Sequence, residues 1–141
     1  MLCRDLMKII VKTTTTQATV ADAAMLMRDE QIGFVPVCDA TGQVVGTLTD
    51  RDIAIRVVAE REPTDQAVER FMTRDVVSCS PADEVGIAQD LMSDLQISRI
   101  VCLNDQGGLE GVISLSDVAQ LGPSADPAAT LQSIAARETH T

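Results

Sequence analysis

The second half of this 141-residue sequence repeats the first half. The clearest pair of segments is residues 46–53 and residues 111–118, a displacement of 65 residues (111 − 46 = 65). Each copy reads as a glycine, a short apolar run, a hydroxyl residue and, three positions later, an aspartate. The two copies align at this displacement from Met7 to Ala54 without an insertion or deletion. Identical residues are several times more frequent along this alignment than the roughly one in sixteen expected by chance. Both halves must therefore form the same structural unit.

The hydrophobic pattern of each unit predicts the order strand, helix, strand, strand, helix. This βαββα pattern mixes a crossover with a hairpin, so the fold class is α+β (α/β). The predicted strands are residues 9–13, 34–38 and 44–48, then 76–79, 99–103 and 109–113. The predicted helices are residues 20–30 and 50–59, then 84–95 and 115–121. The turns 39–42 and 104–108 close the two hairpins.

Local signals place the ends of these elements. Thr19 caps the first long helix and Gly33 ends it, while Pro36 belongs at a sheet edge or a strand entry. Thr64 or Asp65 caps the next helical turn. The charged linker 60–65 separates domain 1 (residues 3–62) from domain 2 (68–122), and a tail (123–141) carries a short helix around Leu131 and Ile134. The polar run 13–16 is either a solvated turn or a hydroxyl edge beside a ligand.

The composition excludes several functions. The formal net charge is −10, and nucleic-acid binding needs clustered lysine and arginine. The 45% hydrophobic content suffices for a core, which must be aliphatic because two phenylalanines are the only aromatic residues. No stretch reaches the ~18 apolar residues of a membrane span, and the first residues do not resemble a secretory signal. We therefore expect a cytoplasmic protein that binds neither nucleic acid nor membrane.

The four cysteines show no C-x-x-C spacing, and Cys38 and Cys102 sit in apolar runs. This usage predicts reduced core residues of a cytosolic protein. A metal site would also lack histidine, since His140 is the one histidine and lies in the tail. We expect no metal site.

The repeated hydroxyl-x-x-acid motif has two interpretations. Thr49 with Asp52, and Ser114 with Asp117, fit the capping box of a helix. They also fit a nucleoside phosphate, because a hydroxyl and helix N–H groups donate to phosphate while an ionised aspartate accepts from a vicinal diol. Three residues apart, the two side chains lie on one side of the first turn. The roles are not exclusive, since a ligand can displace the cap.

Taken together, these segments resemble the tandem cystathionine-β-synthase (CBS) domain pair, or Bateman module. The resemblance rests on residues 32–37, 46–53, 97–102 and 111–117, with Met7 and Met72 before the two copies, and covers residues 3 to 122. It implies two βαββα units related by pseudo-two-fold symmetry, with their sheets packed together and two clefts between them. Such modules bind adenosine-containing ligands, and two modules commonly associate.

The resemblance also implies roles for particular residues. The hydroxyls of Thr49 and Ser114 meet phosphate, and the carboxylates of Asp52 and Asp117 take the ribose hydroxyls. The base lies in an apolar slot beside residues of the second strands and the ends of the first, namely Phe34, Val35, Pro36, Arg99, Ile100, Val101, Thr13 and Ser78.

The two copies should not bind alike. Arg51 offers a guanidinium for phosphate where the second copy has Ser116. Arg99 stands at the position of Phe34, and Val101 replaces the proline of the family's usual apolar-Pro-apolar strand. Either arginine can equally be a surface charge.

The resulting prediction is a regulatory, energy-sensing module and not an enzyme. We expect an adenine nucleotide as ligand, AMP or ATP before ADP, NAD or S-adenosylmethionine, with no catalytic cofactor. We also expect a homodimer and an unidentified regulated protein partner, with signalling by conformational linkage. The alternatives are a ligand-independent dimerisation or scaffold module with vestigial clefts and, third, a small enzyme that hydrolyses a bound nucleotide.

Overall fold

The computed structural model describes residues 1–122 as an α+β fold with two three-stranded sheets. In order, the elements are α1 (Cys3–Leu6), β1 (Thr14–Thr15), α2 (Val20–Glu30), β2 (Phe34–Cys38), β3 (Val44–Thr49), α3 (Asp50–Asp52), β4 (Ser78–Cys79), α4 (Val85–Leu95), β5 (Arg99–Leu103), β6 (Leu109–Ser114) and α5 (Leu115–Leu121). A π-helical segment (Ile53–Val58) continues α3, and a 3₁₀ turn (Val68–Arg70) follows the linker. The predicted tail helix lies outside the described residues.

The two sheets have the same topology. In the first, β2 is central, parallel to β1 and antiparallel to β3; in the second, β5 is central, parallel to β4 and antiparallel to β6. Both hairpins carry a register irregularity at the equivalent place, Val37/Cys38 and Cys102/Leu103. The predicted βαββα order is therefore present twice.

The compact units are not the two sequence repeats. The first-repeat unit is Val11–Val76, and the second-repeat unit joins Met1–Ile10 to the described residues from Val77 to 122. The stretch before each repeat thus belongs to the unit built on the other repeat. We call residues 1–10 the first lead segment and residues 67–76 the second lead segment. The predicted boundaries at 62 and 68 divide the chain by sequence similarity, whereas the compact units divide it by packing.

Each lead segment pairs with the last strand of its unit. Lys8 and Val112 exchange two backbone hydrogen bonds, N–H of Lys8 to O of Val112 at 2.9 Å and the reverse at 3.0 Å. Thr47 and Thr73 form the equivalent pair, at 2.9 and 2.8 Å. The lead segments therefore extend the two sheets by one bridge each.

The first strand of each repeat is shorter than the sequence predicts. The predicted strand at residues 9–13 is wrong, because β1 contains only Thr14–Thr15, while Ile9 and Ile10 are 72% and 90% exposed. The polar run at residues 13–16 thus supplies the strand and begins the following turn. Apolar composition indicated a strand here, but no neighbouring strand satisfies that backbone.

Pro36 lies in the middle of the central strand, so its predicted place at an edge or strand entry is wrong. Register explains how the strand tolerates it. Pro36 stands opposite Thr47, whose N–H and C=O bond to Thr73 and so point away from β2. Pairing with β1 begins only at Val37. In the other unit, the N–H of Val101 at the corresponding position donates to Val77 O at 3.4 Å.

The helix ends also differ in part from the prediction. Thr19 caps α2 as predicted, accepting from the Asp22 N–H at 3.1 Å. The residue after α2, Gln31, adopts the left-handed conformation (φ 56°) and ends the helix, so the predicted stop at Gly33 is wrong. Gln96 adopts the left-handed conformation at the end of α4. The predicted helix 50–59 is largely π-helical. The 3₁₀ turn after the linker has Ala67 at its N-cap position and no side-chain cap, so the predicted cap by Thr64 or Asp65 is wrong.

Each unit has an aliphatic core on one face of its sheet. The second-repeat core includes three of the four cysteines, Cys3, Cys79 and Cys102, all buried free thiols, while Cys38 is half-buried. The Sγ atoms of Cys79 and Cys102 lie 3.2 Å apart. Burial raises the pKa of Cys3 to about 12. The pKa of Cys79 is raised by its hydrogen bond to the Cys102 thiol and by burial.

We predict that Gly46→Ala destabilises the protein. A Cβ at Gly46 would lie 2.5 Å from Met72 Sδ and 2.9 Å from the carbonyl oxygen of Thr73, so the second lead segment must shift. Overpacking of this kind costs about 1–3 kcal/mol in the free energy of unfolding, measurable by urea denaturation. The control is Gly86→Ala, where nothing lies within 4 Å and helix propensity predicts a gain of about 0.5–1 kcal/mol. Equal effects of the two substitutions would contradict the close packing at Gly46.

We predict that the buried thiols resist alkylation in the folded protein. A raised pKa keeps a thiol protonated below that value, so Cys3 forms almost no reactive thiolate between pH 7 and 9. Burial and the nearby Asp39 raise the pKa of Cys38 as well, so its partial exposure decides the order of labelling. Iodoacetamide at pH 8 should label Cys38 first and the buried thiols only in denaturant, as read by peptide mass spectrometry. Cys38→Ser should remove the early label. Early labelling of Cys3 or Cys79 would refute the prediction.

Candidate functional site

The repeated hydroxyl and aspartate form a closed turn in both units. The Asp52 N–H donates to Thr49 Oγ1 and the Thr49 N–H donates to Asp52 Oδ2, both at 3.0 Å. In the other unit, the Asp117 N–H donates to Ser114 Oγ at 3.1 Å and the Ser114 N–H to Asp117 Oδ2 at 3.4 Å. The capping-box interpretation is therefore confirmed for both copies.

A backbone hydrogen bond anchors each turn to the start of the central strand. The Asp50 N–H donates to Gly33 O at 3.0 Å, and the Leu115 N–H donates to Ser98 O at 2.8 Å. The side chain of Asp50 also covers Gly33, where an added Cβ would meet Asp50 Oδ2 at 2.7 Å. These contacts hold the hydroxyl residue beside the first residue of β2 or β5.

Strand register places several predicted site residues on one face of each sheet. In the first-repeat unit, Phe34 pairs with Thr49 and Pro36 with Thr47, so all four side chains share a face. Val35 and Val37, on the opposite face, belong to the core. We call the face that carries Phe34, Pro36 and Thr49 the hydroxyl face, and its equivalent in the second-repeat unit carries the same name.

The second-repeat unit repeats the arrangement with different chemistry. Its hydroxyl face carries Arg99 opposite Ser114, and Val101 opposite Val112 and beside Ser78 of β4. Arg99 is exposed, and its Nη1 donates to Ser98 Oγ at 3.3 Å. The first face is therefore aromatic and apolar where the second offers a guanidinium.

Not every predicted residue can present its side chain to a ligand. Val35 and Ile100 are 0% exposed and lie in the cores, so a ligand on the hydroxyl face could meet only their backbone. Pro36 and Val101 are on the hydroxyl face but buried. Thr49 and Ser114 are half-buried and therefore partly open to solvent.

Of the remaining predicted residues, Thr13, Arg51 and Ser78 are exposed, and Arg51 alone among these three lies in one of the turns. Thr13 precedes β1, and Ser78 begins β4. Arg51 lies within α3 between the two acids of the turn. Ser116, at the corresponding position of the second copy, places its Oγ 3.2 Å from Ser114 Oγ. The second turn thus has two adjacent hydroxyls where the first has a hydroxyl and a guanidinium.

The capping-box carboxylate of each turn, Asp52 or Asp117, forms an ion pair. Arg56 Nη2 lies 3.8 Å from Asp52 Oδ1, and Arg56 Nη1 donates to Phe71 O at 2.9 Å. Lys8 Nζ lies 3.7 Å from Asp117 Oδ1. The side chains of Asp52 and Asp117 are only 15% and 12% exposed, so a nearby cation offsets part of the cost of burying their charge.

Sequence analysis assigned no role at the site to Lys8 or Arg56. Arg56 could be found from its i, i+4 spacing to Asp52. Lys8 carries no such signal, because it precedes Asp117 by 109 residues (117 − 8 = 109) and belongs to the other sequence repeat. Only the packing of the first lead segment brings the two together.

The described part of the chain contains neither a metal-ligand cluster nor a membrane-spanning helix. Within residues 1–122, no group of three or more His, Cys, Asp or Glu side chains is placed to hold a metal ion. No helix in that same range is long and apolar enough to cross a membrane.

The chain matches one protein-family model and is similar to several known proteins. The family model described as "CBS domain" matches residues 3–59 and 68–123. The CBS domain-containing protein YhcV of Bacillus subtilis is 35% identical over 116 residues, covering 82% of this chain and 81% of YhcV. The homoserine O-acetyltransferase of Methanobrevibacter ruminantium is 31% identical, but the match spans only 23% of that enzyme. Its acetyltransferase activity therefore cannot be transferred to this chain.

Solved structures agree on the fold. The CBS domain pair of protein MJ0100, in complex with 5′-methylthioadenosine and S-adenosyl-L-methionine, superposes with a TM-score of 0.77 at 25% identity, covering 86% of this chain and 98% of that one. The conserved CBS domain protein TA0289 of Thermoplasma acidophilum has a TM-score of 0.84 at 21% identity, covering 99% of this chain and 76% of that one, and supports the fold alone.

We predict that Ser114→Ala lowers the free energy of unfolding by about 1 kcal/mol, because the Asp117 N–H loses its acceptor. Urea denaturation measures the change. The control is Ser93→Ala on the exposed surface of α4, which removes a hydroxyl without removing a cap and should be neutral or slightly stabilising. A loss at Ser93 equal to that at Ser114 would contradict a specific capping role.

Proposed function

We propose, since this chain belongs to the CBS domain family, that it is a regulatory module that binds an adenosine-containing ligand on the hydroxyl faces of its two units. AMP and ATP are the first candidates, followed by ADP, S-adenosylmethionine and NAD. The proposed contacts are the hydroxyl and carboxylate of each turn, with Arg51 at the first turn and Arg99 beside the second.

One observation carries the proposal. In each unit, the last strand of the sheet ends at a partly exposed hydroxyl residue of the hydroxyl face. An ionisable carboxylate lies beside that hydroxyl in the following turn. A capping box already uses both groups, so the proposal rests on the hydroxyl staying partly exposed in both units, on a face that also carries the apolar residues Pro36 and Val101.

The chemistry of the turn suits a nucleoside phosphate. Asp52 Oδ2 accepts a backbone hydrogen bond and Oδ1 lies 3.8 Å from Arg56 Nη2, but each carboxylate oxygen has two lone pairs, so the group retains acceptor sites for the two hydroxyls of a ribose. Thr49 Oγ1 accepts one hydrogen bond and can donate another, which suits a phosphate oxygen. The residues Phe34 and Pro36 offer an apolar surface to a base.

A solved relative supports the ligand class. The CBS domain pair of MJ0100 was determined with 5′-methylthioadenosine and S-adenosyl-L-methionine. Both of these ligands contain adenosine, and the two chains are 25% identical over almost their whole length. This likeness favours a ribose and an adenine as the shared part of the ligand.

A bound ligand would regulate the module by linkage between ligand binding and conformation. A ligand that binds one arrangement of the module more tightly than another shifts the population towards it, by no more than that difference in affinity. We propose that the module acts in the cytoplasm as a homodimer, and that a separate protein partner responds to this shift. No chemical step is required of the chain.

A second candidate is a constitutive dimerisation or scaffold module. It is favoured by the state of the carboxylates, since Asp52 and Asp117 already have backbone donors and cations without any ligand. It is also favoured by large apolar side chains exposed on the helical segments, which a partner could cover, namely Met25, Ile55, Val58, Ile87, Leu95 and Leu121.

Thermal melts with ligand distinguish the two candidates. AMP, ATP, ADP, NAD and S-adenosylmethionine should be added separately, each at up to about 1 mM. A ligand at 100 times its Kd stabilises the native state by about 2.7 kcal/mol, which raises Tm by several degrees. We expect at least one adenosine ligand to do so, and we expect the double variant Asp52→Ala, Asp117→Ala to abolish the shift.

The matched control is Asp94→Ala, which removes an exposed acid from α4 and should leave the ligand-induced shift intact. An unchanged Tm with all five ligands would reject the ligand-binding function and favour the scaffold. Product analysis after incubation with ATP addresses nucleotide hydrolysis separately, and we expect no product.

A further inference from the structure

The two units neutralise equivalent carboxylates with cations from different places. Asp52 is paired with Arg56, four residues later on the same helical segment. At the position corresponding to Arg56, the second copy has Leu121, which is 59% exposed. The cation beside Asp117 is instead Lys8 from the first lead segment, where the second lead segment has Thr73. Because equivalent buried carboxylates are neutralised by different cations, we compare how firmly each cation is held.

Arg56 is held at two points and Lys8 at one. Arg56 uses Nη2 on Asp52 and Nη1 on the carbonyl of Phe71, which fixes its guanidinium within the first-repeat unit. The Lys8 ammonium lies 3.7 Å from Asp117 Oδ1, much as Arg56 lies 3.8 Å from Asp52 Oδ1, but the Lys8 side chain is 72% exposed against 45% for Arg56. Because the ammonium end is solvated, it can leave Asp117 once another donor takes its place at that mostly buried carboxylate.

The backbone of Lys8 is nevertheless fixed. Its N–H and C=O both bond to Val112, which precedes Asp117 by five residues (117 − 112 = 5), and the carbonyl oxygen of Lys8 lies against Gly111. Lys8 therefore combines a stationary Cα with a flexible, solvated ammonium beside the Ser114–Asp117 turn. The ammonium of such a lysine can move towards an anionic group of a ligand that binds at the turn.

We propose that Lys8 determines charge specificity in the second-repeat unit, favouring adenosine ligands that carry a phosphate over uncharged ones. This inference rests on the proposed function. Ribose hydroxyls that donate to Asp117 would take the place of the ammonium, and a phosphate at Ser114 would attract it within the same turn. Arg56 cannot act in this way without giving up its bond to Phe71, so the first-repeat unit lacks the equivalent selectivity from this position.

The experiment compares AMP with adenosine, which differ only in the phosphate. Calorimetric titrations are made in an Asp52→Asn background, so that binding reports mainly on the second-repeat unit. Lys8→Met should weaken AMP binding about fivefold to tenfold and change adenosine binding less than twofold. The AMP preference of the parent should shrink as ionic strength rises, and that of Lys8→Met should not. Lys8→Arg should retain most of the preference, because it retains the charge.

The matched control is Lys12→Met, which removes a half-exposed lysine paired with Glu30 at 3.8 Å. It should leave both affinities unchanged. If Lys8 only neutralises Asp117, Lys8→Met will weaken AMP and adenosine equally, and the proposal is wrong. The proposal also fails if the Asp52→Asn background binds neither ligand while the unsubstituted protein does, since the second-repeat unit is then not a site. Absence of binding by the unsubstituted protein would instead reject the proposed function, and this inference with it.

Discussion

The contact between each lead segment and a strand glycine is the constraint on which both units depend. At Gly46 and Gly111 the neighbouring backbone comes so close that an added Cβ would lie within 3 Å of a carbonyl oxygen. This approach allows Thr73 to pair with Thr47, and Lys8 to pair with Val112. A glycine in a strand interior normally weakens the strand, and here it is required because another backbone crosses at that point.

The same contact sets the electrostatics of the candidate site. The strand that receives the lead segment ends at the hydroxyl residue of the turn, so the lead segment and the turn are rigidly connected through β3 or β6. In the second-repeat unit this connection delivers Lys8 to Asp117. In the first-repeat unit the lead segment delivers the carbonyl of Phe71 to Arg56, which in turn holds Asp52. The duplicated turn therefore has a different charge environment in each unit, although its backbone is the same.

Sequence reasoning succeeded where the signal was local or repeated. The helix Val20–Glu30, the strands Phe34–Cys38 and Arg99–Leu103 and the helix Leu115–Leu121 have the predicted bounds, because periodicity and turn residues mark them directly. It failed at residues 9–13, where apolar side chains indicated a strand without a neighbour to pair with. It also failed at Pro36, since the direction of an N–H group within a sheet depends on the register of strands that are distant in sequence.

The sequence by itself determined the duplication, the βαββα order and the hydroxyl-x-x-acid turn, since each is a pattern of residues close in the chain or repeated at a constant displacement. The tertiary structure alone decided which repeat each lead segment completes, which side chains share the hydroxyl face and which cation lies beside each aspartate. These features arise from contacts between residues up to 109 positions apart, as for Lys8 and Asp117. No local preference encodes such contacts, because they form only when distant backbones pair and pack.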